Sequence, residues 1–260
     1  MMPLTEMDSD RMPNHIAVIM DGNGRWAEAR GLERNAGHRA GLENVREIVR
    51  ASGDLGLKYL TLYAFSSENW ERPKGEVSEL MHLLEHFLEE DLEEAVSQGV
   101  RIRAVGRLDR LPPSTRTAVD KAMQATRRNT ERHLILALSY GARAEIVDAA
   151  RGLVRSVARG DLDPEQIDEK IFASHLYVPD VPDPDLMIRT GGEYRVSNFL
   201  LWQIAYSELY SAPVMWPDFH RAEFEEAILD YAGRERRFGL TGAQARSGSV
   251  KPPSDGVPEK

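Results

Sequence analysis

No cysteine occurs anywhere in the 260 residues. That excludes a disulfide framework and any thiolate metal site, and it fits a reducing compartment. Long apolar runs are missing as well: nothing approaches the roughly 20 residues needed to span a bilayer. The start of the chain, Met1 to Asn14, is polar and lacks a basic stretch followed by an apolar one, so no signal peptide is expected. A cytoplasmic location follows as the expectation. An excess of positive charge is absent too, with 42 acidic residues against 33 basic ones and a formal net charge of -9. Such a chain is a poor general binder of nucleic acid, whose affinity comes mainly from neutralised phosphates. A local basic site for a small anion stays open, because net charge does not describe clustering. No internal repeat is present.

What remains is an ordinary globular composition, 42% hydrophobic and 29% charged, ample for one sizeable core. Both ends read as loose: residues 1–12 as a flexible arm, and 241–260, rich in Gly, Ser, Pro and charge, as a disordered tail. Between them, over 13–240, strand-like and helix-like segments alternate. This predicts a single α/β domain with a central, mostly parallel sheet flanked by helices. The strand candidates are Ile16–Met20, Tyr59–Phe65, Val100–Val105, His133–Ser139 and Leu186–Arg189. The helix candidates are His38–Leu55, Glu76–Gln98, Pro113–Arg128, Ala144–Ala158, Pro164–His175 and Arg221–Arg236. Within Glu76–Gln98 an apolar stripe runs from Val77 through Leu80, Leu84, Phe87 and Leu88 to Ala95 at helical spacing. Asp163 before Pro164 reads as an N-cap.

Ligands of such sheets bind beyond the carboxyl ends of the strands, so the loops there are where chemistry is expected. Three of them share a character. After the first strand comes Asp21-Gly22-Asn23-Gly24-Arg25-Trp26, with Arg34, His38 and Arg39 just beyond. After the second comes Ser66-Ser67-Glu68-Asn69-Trp70-Glu71-Arg72-Pro73, and after the fifth Arg189-Thr190-Gly191-Gly192-Glu193-Tyr194-Arg195-Val196-Ser197-Asn198. Glycines let backbone approach a ligand closely, and arginines supply forked donors suited to phosphate. An aspartate inside an anion-binding loop makes sense when a hard cation joins it to the phosphate, which is the magnesium pattern. Each piece alone has a plainer meaning. Asp-Gly is a common turn, Gly22 and Gly24 match a loose dinucleotide fingerprint, and His38, Trp26 and Trp70 could be packing residues. The acidic run Glu89-Glu90-Asp91 reads as a solvated helix face. The joint occurrence of three loops favours two diphosphates.

Taken together, HIAVIMDGNGRWA, Gly37-His38-Arg39-Ala40-Gly41, AFSSENWERP and DPDLMIRTGGEYRVSNFLLWQIAYSELY resemble the cis-prenyltransferase family, in particular bacterial undecaprenyl diphosphate synthases. The resemblance runs from about Pro13 to Gly239 and implies roles position by position. Asp21 would be the catalytic carboxylate and a Mg2+ ligand, and Glu208 a second magnesium-associated carboxylate. Gly22, Asn23, Gly24, Arg25, Arg34 and His38 would cradle the allylic diphosphate, with Trp26 on its first isoprene units. Ser66, Ser67, Glu68, Trp70 and Arg72 would form a mobile wall, and Asn69 would assist proton removal. An amide is no base near neutral pH, so Asn69 is expected to orient, while the departing diphosphate or a water held by Asp21 accepts the proton. Arg189, Arg195, Val196 and Ser197 would hold isopentenyl diphosphate. The resemblance further implies a homodimer, in which Arg237-Phe238-Gly239 reaches the neighbouring subunit's site, and admits a peripheral membrane contact for product release. Two departures stand out: Ser139-Tyr140-Gly141-Ala142-Arg143 replaces an asparagine-first, double-glycine version, and Gly106-Arg107 stands where Gly-Asp is common.

The expected substrates are isopentenyl diphosphate and an allylic diphosphate such as farnesyl diphosphate, and the product a cis-polyprenyl diphosphate. A hydrophobic tunnel beneath the strand C-terminal ends would house it, with the Val77–Ala95 stripe as a wall. Side chains alternate along a strand, so Leu60, Leu62, Ala64 and Ser66 should share the face toward it. Small Ala64 should leave the passage open. Two other readings compete: a dinucleotide-dependent oxidoreductase built on the Gly22/Gly24 loop, and a non-catalytic partner subunit. The first is disfavoured by Asp21 and Arg25 flanking the glycines. The second is disfavoured by the complete set of arginines and acids.

Overall fold

The computed structural model describes residues 11–235. The tail 241–260, the segment Arg237-Phe238-Gly239 and most of the arm therefore lie outside the described residues. Met12, inside the expected arm, packs against the core.

The chain forms β1 (His15–Ile19), α1 (Asn23–Glu28), α2 (Arg34–Asp54), β2 (Tyr59–Ser66), α3 (Lys74–Glu90), α4 (Leu92–Ser97) and β3 (Val100–Val105). Then follow α5 (Pro113–Ala125), β4 (Arg132–Tyr140), α6 (Ala142–Arg159), α7 (Glu169–Ala173), β5 (Leu186–Arg189), β6 (Glu208–Ser211) and α8 (Arg221–Ala232). The six strands run in the order β3-β4-β2-β1-β5-β6, and every neighbouring pair is parallel. The expected α/β domain is therefore present, with a sixth strand that four residues of mixed character did not announce.

Two long helices proved to be divided. The helix expected to run unbroken over Glu76–Gln98 is divided at Asp91, whose carboxylate accepts from the Nε of Arg46 on α2 at 2.8 Å. Pro164–His175 splits because Asp163 caps a single 3-10 turn and Asp168 then caps α7, accepting from the backbone N–H of Ile171. Local hydrogen bonding by aspartate competes with helix continuation.

Alternation along the strands builds a core on each face of the sheet. Ile16 and Val18 of β1 point into one, with α2, α3, α5 and α8 above it. Ala17 and Ile19 point into the other, beside Tyr140, Phe199 and Leu200. Leu60, Leu62 and Ala64 do share the first face, and an irregularity in pairing after Tyr63 brings Phe65 there as well. Among the described residues no helix is long and apolar enough to cross a membrane.

The strand order is what assembles the site. β1 is flanked by β2 on one side and β5 on the other, and Ile19 is level with both Tyr63 and Arg189. Loops far apart in sequence thus leave the sheet side by side, at the point where strand order reverses.

Candidate active site

Asp21 stands just past the end of β1. Its backbone is pinned by the buried Thr190, whose hydroxyl accepts the Asp21 N–H at 2.9 Å and donates to the Asp21 carbonyl at 2.7 Å. The next residue, Gly22, has φ 107°, and a side chain there would meet Met215 at 2.8 Å. Only glycine suits that turn. The Asp21 carboxylate accepts from Nη2 of Arg189 at 2.8 Å and faces Arg25 at 3.3 Å. Burial alone would raise its pKa, but the Arg189 hydrogen bond and charge, with Arg25, hold it below the usual carboxylate value.

Arg189 is itself buried. Its Nη1 donates to the Arg195 carbonyl and, at 2.8 Å, to the Ser197 hydroxyl, while its Nε is buried without an acceptor. Glu193 bridges the two outer arginines, with Arg25 at 3.2 Å and Arg195 at 2.5 Å. Three guanidiniums therefore converge on two carboxylates. Val196 sits behind them against the second core.

A second cluster gathers on Glu76 at the start of α3. His38 lies 3.1 Å from it, Arg72 3.0 Å and Arg34 3.6 Å, with Arg34 also held by Glu28 at 2.6 Å. Arg34 lies flat on Gly24, where an added Cβ would stand 2.7 Å from the guanidinium. Burial pushes the His38 imidazole down despite the pull of Glu76, so it is neutral at pH 7. Asn23 is wedged between α1 and α2 with its Oδ1 buried and unpartnered.

The third element is the turn after β2. Asn69 Oδ1 accepts the Ser66 N–H at 3.0 Å in a reciprocal capping box, so its oxygen serves the turn itself. Ser67 donates to Glu68 at 3.0 Å. Glu68 takes the Asn198 amide at 2.9 Å, and this bond counters the burial that would raise its pKa. Trp70 packs edge-on to Phe65, lies under Arg110 at 5.5 Å, and donates from its indole to Ser139 at 2.9 Å. Both departures from the family pattern meet here: the Arg107 N–H donates to the Ser139 carbonyl, and the Ser139 hydroxyl holds Trp70.

Nearly all the expected residues are thus brought to one edge. Trp26, in the first turn of α1 beside Arg25, is tied by its indole N–H to Asp218 at 2.7 Å and covered by Arg30 at 4.2 Å. Glu208 is not among the residues at this edge. Glu208 pairs with Leu186 at the opposite end of the parallel strands, whereas Arg189 pairs with Ser211. Three rungs separate it from that level, roughly 10 Å of strand. There it holds Arg234 at 2.8 Å, so within one chain it does not join Asp21. Sequence reasoning passed over Glu76, Thr190, Glu193 and Asn198. Glu193 and Asn198 lay inside the arginine-bearing loop, and Glu76 was legible only as an acid in a helix first turn.

Among the described residues, no three His, Asp or Glu side chains converge as a metal cage. The donor set still fits magnesium, which is commonly held by one or two carboxylates together with substrate phosphates. The half-exposed Asp21 carboxylate would supply such an oxygen ligand, while the buried Nε of Arg189, a donor without an acceptor, suits a phosphate oxygen.

On the first face, a row of half-buried apolar side chains leads away from this edge: Ala64, Trp70, Val77, Leu80 and Leu84. At the far end of the sheet lies a cavity of about 290 Å³, lined by Val49, Phe87, Ala95, Val100, Ile102 and Leu134 and by the charged Arg46, Arg50, Asp54, Asp91, Glu94 and Arg132.

The family model described as "Putative undecaprenyl diphosphate synthase" matches residues 19–239. The isoprenyl transferase of Heliobacterium mobile is 53% identical over 234 residues, 90% of each chain. That of Brucella abortus is 55% identical over 227 residues, 87% of this chain and 89% of the other. Among solved structures, lavandulyl diphosphate synthase from Lavandula x intermedia, in complex with dimethylallyl diphosphate, superposes with a TM-score of 0.87 at 40% identity. The match covers 89% of this chain and all of that one. A probable undecaprenyl diphosphate synthase from Campylobacter jejuni gives 0.73 at 34% identity, covering 90% of this chain and all of the other.

Proposed function

This chain belongs to the undecaprenyl diphosphate synthase family of prenyltransferases, and on that premise we propose that it condenses isopentenyl diphosphate with an allylic diphosphate, such as farnesyl diphosphate, into cis-polyprenyl diphosphate of undecaprenyl length. The observation that carries this reading is the convergence of Arg25, Arg189 and Arg195 around Asp21, beside an apolar row that leads away from them.

Arg34, His38 and the 22–25 backbone hold the allylic diphosphate. Arg189, Arg195 and Ser197 hold that of isopentenyl diphosphate. The two sites meet at Asp21, which places the isopentenyl double bond against the allylic carbon as the C–O bond of the latter breaks. Magnesium held by Asp21 and the phosphates would neutralise charge on the leaving diphosphate. The arginines act on the same charge as fixed, preorganised donors. The double bond attacks the cationic carbon, and a proton then leaves the new chain to the departing diphosphate, the nearest strong acceptor. Asn69 does not take it: an amide lacks the basicity, and its oxygen is engaged by Ser66.

The product is again an allylic diphosphate and can react further. Its hydrocarbon would lie along Ala64, Val77, Leu80 and Leu84, a row of apolar side chains that favours a long chain. The likeness to lavandulyl diphosphate synthase supports a short-chain product as the second reading. Incorporation of radiolabelled isopentenyl diphosphate, with products resolved by length, decides between them and tests catalysis itself. We also assign the enzyme to the cytoplasm as a homodimer, with a peripheral membrane contact for product release. The dimer is supported by the exposed Tyr206, at the rim of a hollow of about 700 Å³ on the second face that Leu201, Trp202 and Ala205 line together with the charged Glu145, Asp168, Glu169 and Lys170.

A further inference from the structure

Three of the four non-glycine residues with positive φ among the described residues fall in one short stretch: Ser197 (45°), Asn198 (61°) and Leu200 (46°). Side chains rarely adopt that region, though asparagine tolerates it better than most. The stretch is held there largely by Asn198. Its carbonyl accepts the Ala142 N–H at 2.8 Å, and its Oδ1 accepts the Arg143 N–H at 2.9 Å. Its Nδ2 donates to Glu68 Oε1 at 2.9 Å. Gly141 makes the approach possible, since a Cβ there would lie 2.7 Å from the Asn198 amide and 2.5 Å from the Ser67 hydroxyl. The loops after β2, β4 and β5 therefore meet on one side chain. One residue back, the Ser197 hydroxyl accepts from Arg189, which in turn holds Asp21.

We propose that Asn198 is a positioning residue that couples the two substrate sites: seating isopentenyl diphosphate on Arg189, Arg195 and Ser197 fixes, through Asn198, the Ser67–Glu68 turn that walls the allylic site. This rests on the assignment of those arginines to isopentenyl diphosphate given above. Asn198 touches neither reacting carbon. It transmits the position of one loop to another, and coupling of that kind is reciprocal: each substrate tightens binding of the other.

The test is the KM for isopentenyl diphosphate, measured at low and at saturating allylic diphosphate. In the wild type it falls as the allylic substrate saturates. In Asn198→Gly, which keeps the backbone conformation and loses the side chain, that dependence disappears and KM rises about tenfold, as loss of a hydrogen bond to a charged group predicts. Glu68→Ala breaks the same contact from an exposed position and does the same, and the double variant is no worse than the worse single one. Asn198→Asp sets two carboxylates together and is impaired further, and adding Glu68→Gln restores the pair. A Glu68→Ala enzyme with the wild-type dependence, or additive losses in the double variant, overturns the coupling while leaving the prenyltransferase reading intact. A wild-type protein that incorporates no isopentenyl diphosphate overturns both.

Discussion

Arg189 and Asp21 leave the ends of adjacent parallel strands with Nη2 and Oδ2 2.8 Å apart, although 168 residues separate them in the chain. The pair joins the loop after β1 to the loop after β5. It also gives a buried guanidinium its counter-charge, so Asp21 contributes to stability besides its proposed part in the chemistry.

Asp21→Asn should therefore lower turnover by at least about 100-fold, the scale of losing one preorganised electrostatic group. Stability should fall by about 1–3 kcal/mol, because Arg189 keeps its Ser197 and backbone partners but loses a charged one. Product formation and urea unfolding measure the two effects. Activity near the wild-type level would remove Asp21 from the chemistry.

Turnover should require a divalent cation. Two diphosphates beside Asp21 and Glu193 carry more negative charge than Arg25, Arg189 and Arg195 balance. EDTA should abolish incorporation of isopentenyl diphosphate, and magnesium should restore it. Full activity in rigorously metal-free buffer contradicts the expectation.

Acid should weaken the fold through His15. Complete burial pushes this imidazole down to about 4, while its ring nitrogens contact the Pro182 carbonyl and Thr61. The unfolded chain takes up the proton first, near the ordinary value of about 6.5, so stability is full above that pH and falls as pH drops toward 4. The loss from this residue is about 3 kcal/mol over the window. Asp21, held low, contributes in the same direction only below the ordinary carboxylate value. Urea unfolding at pH 7, 5.5 and 4.5 should show a shallower slope for His15→Gln, and equal slopes would refute the assignment.

Ala64→Leu should stay folded and active but make shorter products. Ala64 is half-buried on the first face, in the row that includes Trp70 and Val77. Overpacking there costs about 1–3 kcal/mol unless something yields, and the growing chain yields most easily. Reverse-phase chromatography of dephosphorylated products measures it. An unchanged length distribution places Ala64 outside the passage.

The protein should be a dimer at micromolar concentration. Tyr206 is 60% exposed beside the Trp202 hollow, more aromatic surface than an isolated face usually carries. Light scattering should give twice the chain mass, and Tyr206→Glu should shift it toward the monomer. A wild-type monomer counts against the interface.

Periodicity and turn chemistry in the sequence determined five of the six strands and most helices, because apolar spacing states which face is buried. They also determined that three polar, Arg-bearing loops follow strands, two of them with glycines, which was enough to place Asp21, Arg25, Arg189, Arg195 and Ser197 together. The short edge strand β6 and the break at Asp91 were not legible: one has too few residues for a pattern, and the other depends on Arg46 of a different helix. Only the strand order decided which loops touch. It put β1 between β2 and β5, and so made Thr190 the clamp of Asp21 and Asn198 the partner of Glu68. The same parallel register carried Glu208 to the far end of its strand, where Arg234 neutralises it. Residue type fixes what a side chain can bond, but partners far apart in the chain are chosen by topology, which local sequence patterns do not encode.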